Sequence, residues 1–144
     1  MKNKHVFIFD DEDFLEEIFI DLIQSCGYTV EACRSMDIFN NIKNIAEDTH
    51  KKTICIIDYT YQGDVRDVPE LEKYKNIIAE IKKKITDNNL PSLIFTSGLF
   101  YAPFVKNGLE EKLLEKMKDE GFKQCAILPK PFELKYFKEL LDRM

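Results

Sequence analysis

Four short apolar runs in this chain each end in a side chain suited to handling a phosphoryl group on a carboxylate. The run 5–9 stops at Asp10 and Asp11, the run 54–57 at Asp58, and the run 93–95 at Thr96, while 126–128 leads through Pro129 to Lys130 and Pro131. A hard divalent cation takes oxygen ligands, commonly one or two carboxylates completed by carbonyls, water and phosphate, and Asp10, Asp11 and Asp58 are of that type. Three carboxylates gathered within a few ångströms repel one another, and a cation keeps them ionised. Lys130 would supply a point charge to a transferring phosphoryl group and Thr96 a hydroxyl hydrogen bond. Ser97 and Gly98 are small enough to let backbone approach closely.

These residues meet only if the runs are neighbouring strands that end at one edge. Strand-length apolar runs alternate with helical periodicity along the whole chain, the pattern of βαβ units and a parallel sheet. Strands are expected at 5–9, 29–32, 53–57, 92–95 and 125–128. The first helix starts near Phe14, with Phe14, Leu15, Ile18, Phe19, Leu22 and Ile23 inward, Asp13 with Glu16 as a capping box, and Gly27 as its stop. A second helix is expected at 36–48, and a third carries Leu71, Tyr74, Ile78, Ile81 and Ile85 at three-four spacing. A fourth has Leu109, Leu113, Leu114 and Met117 on one side, and a fifth, 133–143, turns Leu134, Phe137, Leu140 and Leu141 inward. In an open sheet of this kind the ligand crevice lies beyond the carboxyl ends of the strands, where all four polar endings fall.

The 144 residues fit one domain, 1–144. With 44% hydrophobic and 33% charged residues the composition is that of a soluble globular protein. No stretch reaches the roughly 20 apolar residues of a membrane span, and the first apolar run is cut by aspartates too early for a signal peptide. A cytoplasmic location is expected, with Cys26, Cys33, Cys55 and Cys125 as buried free thiols in a reducing compartment. The net charge of −5 argues against nucleic-acid binding. Lys82, Lys83 and Lys84 suit a solvated helix end. His5 and His50 look like surface residues, and no Ser or Cys nucleophile constellation is visible.

The segments HVFIFDDED, ICIIDYT, LIFTSG and ILPKPF, in this order, resemble the receiver domain of two-component response regulators, and the resemblance covers essentially the whole chain. It implies an α/β fold with a doubly wound five-stranded parallel sheet of flavodoxin-like order 2-1-3-4-5 and helices on both faces. Asp58 would accept a phosphoryl group from the phosphohistidine of a histidine kinase or histidine phosphotransfer protein. Asp10, Asp11, Asp58 and the backbone carbonyl of Thr60 would hold Mg²⁺ or Mn²⁺, and Thr96 and Lys130 would bind the phosphoryl group. Such a receiver is not an enzyme acting on other substrates; it catalyses only its own phosphorylation and dephosphorylation.

The chain departs from the family in four places. Asp58 lies 38 positions before Thr96, and Thr96 lies 34 before Lys130, both longer than usual, so the third and fourth crossovers are expected to be remodelled. Ile127 stands where receivers commonly carry the Tyr or Phe that pairs with Thr96 as a switch. The family's frequent proline and glycine shortly after the phosphorylated aspartate do not stand in their usual place, where the sequence is instead Tyr59, Thr60, Tyr61, Gln62, Gly63. Finally, Phe100, Tyr101 and Phe104 lie in an apolar stretch, read either as packing of the longer crossover or as a surface for a homodimer or downstream protein. No output region is recognisable after the last helix, so a signal is expected to pass by protein contact. Two rivals remain: a receiver-like binding module without phosphotransfer, and a phosphatase of the haloacid-dehalogenase type, imitated by Asp11-Glu12-Asp13 and LIFTSG but wanting an acidic pair downstream of Lys130.

Overall fold

The computed structural model describes residues 4–9, 13–32, 52–58, 75–97, 109–129 and 133–144, with positions 13–16, 58, 75–77, 87, 97, 109–110 and 129 described at the backbone only. Five strands, β1 (Lys4–Phe9), β2 (Thr29–Ala32), β3 (Lys52–Asp58), β4 (Ser92–Ser97) and β5 (Cys125–Pro129), form one sheet of order β2-β1-β3-β4-β5. Every pairing is parallel. The described helices are α1 (Asp13–Ser25), α2 (Lys75–Lys84), α3 (Leu109–Asp119) and α4 (Leu134–Arg143). The helix expected at 36–48, together with Leu71 and Tyr74, lies outside the described residues.

Strands buried on both faces need apolar side chains at every position, which is why β1, β3 and β4 read as unbroken hydrophobic runs rather than alternating ones. Alternate positions serve two separate cores. Phe7, Phe9, Cys55, Ile57, Leu93, Phe95 and Ile127 meet Ile78, Ile81 and Ile85 and the α3 residues Leu113 and Met117 on one face. Val6, Ile8, Ile54, Ile56, Ile94 and Leu128 meet Phe19 and Ile23 of α1 and Phe137, Leu140 and Leu141 of α4 on the other. The Phe19 and Phe137 rings, 5.3 Å apart between centroids, join α1 to α4. Helices therefore cover both faces.

Two helices end in the same way. At Gly27 (φ 88°) the Tyr28 amide donates to the Ile23 carbonyl and the Gly27 amide to that of Gln24; at Gly121 (φ 101°) Phe122 and Gly121 do the same with Met117 and Lys118. This is the Schellman arrangement, in which a glycine takes the left-handed conformation and the next residue folds back onto the helix. Tyr28 then shares a core with Ile23, and Phe122 shares the other with Met117.

Three expectations need correction. Ile18 is 41% exposed, because Phe19 and Ile23 already hold the stripe of α1 that faces the sheet and its immediate neighbour lies about 100° away around the helix. Leu134 is 56% exposed: it opens α4 one turn before Phe137, where no described element covers it. His5, expected at the surface, is only 9% exposed, since β1 is an interior strand flanked by β2 and β3. The thiols fit the expectation in part, with Cys55 buried and Cys26 and Cys125 half-buried and free; Cys33 lies outside the described residues.

Candidate functional site

The carboxyl ends of the central strands are fixed in register. Phe9 pairs with Ile57, Asp58 with Thr96, Thr96 with Leu128, and Ser97 with Pro129. Neighbouring strands run about 4.8 Å apart, so the backbones of positions 58 and 96 are adjacent at this edge. Thr96 has no solvent exposure, and its hydroxyl has no hydrogen-bond partner among the described residues. Because Ile94 belongs to the α1/α4 core and Phe95 to the α2/α3 core, strand alternation assigns Thr96 to the α1/α4 face. Among the described residues this buried hydroxyl is left with donor capacity that an acceptor at this edge could take.

Of the other expected site residues, Asp58 is described only as a backbone position, while Asp10, Asp11, Thr60 and Lys130 lie outside the described residues, as do Phe100, Tyr101 and Phe104. Among the described residues no group of three metal-ligating side chains occurs.

At the opposite, amino edge of the sheet lie polar contacts that sequence reasoning did not find. His5 Nδ1 is 2.6 Å from Thr29 Oγ, His5 Nε2 is 3.7 Å from a Glu31 carboxylate oxygen, and the imidazole meets the Phe7 ring edge-on at 4.6 Å. The Lys4 ammonium donates to the Leu141 and Asp142 carbonyls, each at 2.8 Å, and the Tyr28 hydroxyl donates to the Asp142 carboxylate. Lys4 also stands over the Tyr28 ring, 5.4 Å from its centroid. Nothing in the local sequence signals the contacts of Lys4 and Tyr28 with Leu141 and Asp142, which join residues more than a hundred positions apart.

No family model matches the chain, and no curated protein matches it. Solved structures do. A response regulator from Colwellia psychrerythraea superposes with a TM-score of 0.65 at 18% identity, over 99% of this chain and 96% of that one. A CheY-like receiver domain from Methylobacillus flagellatus gives 0.61 at 16% identity, over 99% and 98%. The receiver domain of a sensor histidine kinase from Pseudomonas aeruginosa PAO1, described with a magnesium ion coordinated in the active site cleft, gives 0.59 at 14% identity, over 99% and 97%. The fold is that of a receiver domain.

In this receiver fold Ile127 is 5% exposed and sits in the α2/α3 core, register-paired with Phe95, the residue before Thr96. A β-branched side chain packed there is restricted at χ1 and has no polar tip. The electrostatics of the described residues lie elsewhere. Burial pushes the Cys125 thiol up to about 12, and a hydrogen bond and charge from Lys82 at 2.8 Å lower the pKa of Glu120. Both are at the amino end of β5 or before it. Lys84 reaches Glu80 at 3.9 Å, so the basic end of α2 is largely engaged with its own surface. Among the described residues no helix is long and apolar enough to cross a membrane.

Proposed function

We propose that residues 1–144 form one receiver domain of a two-component or phosphorelay system, with Asp58 as its phosphoacceptor. The observation that carries this reading is the buried Thr96 hydroxyl, unpartnered among the described residues, beside position 58 at the edge of a receiver-type sheet where a ligand belongs. Chain connectivity supports it: Asp10 follows Phe9 and Lys130 follows Pro129 in sequence, and Phe9 and Pro129 are register-fixed at the same edge.

In the transfer, a carboxylate oxygen of Asp58 attacks the phosphorus of a phosphohistidine. The new O–P bond forms as the N–P bond breaks, and the imidazole keeps the electron pair. Thr96 donates its hydroxyl to a phosphoryl oxygen, and the Lys130 ammonium offsets the charge on another. Attack of water on the phosphorus later releases inorganic phosphate and regenerates the carboxylate. Asp10, Asp11, Asp58 and the Thr60 carbonyl are oxygen donors of the kind Mg²⁺ or Mn²⁺ takes, and the cation supplies neutralisation of the phosphoryl oxygens. The donor of the phosphoryl group is a histidine kinase or histidine phosphotransfer protein. A cytoplasmic location and an output through contact with a downstream protein go with this role.

Incubation with acetyl phosphate and Mg²⁺, followed by intact mass and peptide mapping, tests the reading. One added phosphoryl group, absent from Asp58→Asn, is expected. No adduct on the wild type would instead favour a receiver-like binding module without phosphotransfer, the second reading, to which the packed Ile127 lends support.

A further inference from the structure

We propose that α4 is a lever hinged at its carboxyl end, with its free amino end at the phosphoacceptor edge; this rests on the function proposed above. The two ends of the helix are held very differently. At the carboxyl end, Lys4 from β1 donates to the last-turn carbonyls of Leu141 and Asp142, and Tyr28, beside β2, donates to the Asp142 side chain. The Met144 amide closes onto the Leu140 carbonyl, and Leu140, Leu141 and Met144 are all buried. A lysine ammonium on the last carbonyls satisfies groups a helix leaves open and suits the negative end of its dipole. Lys4 of β1 and Tyr28, just before β2, thus grip one helix end through charge-assisted hydrogen bonds.

At the amino end no such grip occurs among the described residues. Glu133 makes no side-chain cap, Leu134 is 56% and Tyr136 43% exposed, and the first firm contact is Phe137 against Phe19. From Leu141 back to Leu134 the helix spans about 10 Å, so a swing of about 10° about the anchored end moves the first turn by about 2 Å. That turn follows Pro129, the backbone neighbour of Ser97, by only five positions. A change at the Thr96 edge therefore reaches the free end of α4 through a very short length of chain, and the exposed Leu134 and Tyr136 move with it.

Amide exchange of the full chain, read by NMR, tests the hinge. In the unmodified protein, Lys4→Met is expected to speed exchange at Arg143 and Met144 roughly tenfold while leaving Phe137 and Lys138 unchanged, because only the anchored end loses its support. Tyr28→Phe, which keeps the buried ring, is expected to act in the same direction more weakly. Unchanged exchange at Arg143 and Met144 in both folded variants would overturn the anchor. In wild type carrying the phosphoryl group, with occupancy read by intact mass, exchange should change at Phe137 and Lys138 and hold at Arg143 and Met144. Equal change at both ends, or none at the amino end, would overturn the lever. Failure to form any adduct would sink the proposed function and, with it, the lever's signalling role, while the Lys4→Met arm still judges the hinge.

Discussion

Replacing Thr96 by Val should make the resting protein more stable and its phosphorylation slower, two effects of opposite sign from one atom. Valine keeps the shape and the strand propensity of threonine and exchanges only the hydroxyl for a methyl. The Thr96 hydroxyl is fully buried and unpartnered among the described residues, and an unsatisfied buried polar group costs about 1–3 kcal/mol. Removing it should return that amount. For a chain of 144 residues the unfolding entropy converts each kcal/mol into about 3 °C, so the midpoint should rise by about 3–9 °C. A hydrogen bond to a charged phosphoryl oxygen contributes about 1.5–3 kcal/mol, so its loss should slow acetyl-phosphate labelling of Asp58 by about tenfold to a hundredfold.

Differential scanning calorimetry of the unmodified proteins and an intact-mass time course with acetyl phosphate measure the two halves. A fall in the midpoint would mean that the hydroxyl already has an acceptor, and the donor-in-readiness argument would fail. A higher midpoint with labelling at the wild-type rate would leave the strain real but sever it from phosphoryl binding. Only the pair of opposite changes fits a donor kept unsatisfied for an incoming oxyanion.

Ile127→Ala should cost about 2–5 kcal/mol in urea unfolding, since the side chain is packed among Phe95, Leu113 and Met117; a loss below 1 kcal/mol would show that the position is not core. Gly27→Ala should lower stability by about 1–2 kcal/mol through the left-handed backbone alone, because an added Cβ would meet nothing within 4 Å; an unchanged urea midpoint would contradict this. Cys125, pushed up to about 12 by burial, should alkylate at pH 8.5 on the order of a thousandfold more slowly in the native protein than in urea, judged by peptide mapping. The same raised value has a sign for stability. It is fully present below the ordinary thiol pKa near 9 and is lost as pH climbs toward 12, because the unfolded chain releases that proton first.

The fold was legible because parallel strands buried on both faces must be apolar throughout, and that signal survives without relatives. It set β1, β3, β4 and β5 to within two residues, whereas the edge strand β2, Thr29–Ala32, has no buried residue and was marked by its place just after the Gly27 stop. Gly27 marked the end of α1 for the same kind of local reason, a left-handed turn that glycine accommodates. What failed was anything decided by neighbours distant in sequence. Ile18 fits the apolar period of α1 yet is displaced from the sheet by Phe19, and His5 looks terminal only until β2 and β3 close on either side of it. The Lys4 and Tyr28 contacts with the end of α4 have no local cue at all.

The site divides along the same line. Strand endings announced Asp58 and Thr96 by residue type, and the register makes their backbones neighbours, but no sequence pattern could reveal that the Thr96 hydroxyl is buried with no partner among the described residues. Ile127 is the converse case. Its identity alone signals that an aromatic is absent, and only the packing shows that the position is filled by a stiff branched side chain, one residue out of step with Thr96 and on the opposite face of the sheet. Such a side chain cannot swing between an inward and an outward position without opening a cavity in the α2/α3 core. If Asp58 accepts a phosphoryl group as proposed, the signal would leave that edge by movement of a whole element, and α4, gripped at its carboxyl end and exposed at Leu134 and Tyr136, has the asymmetry such a movement requires.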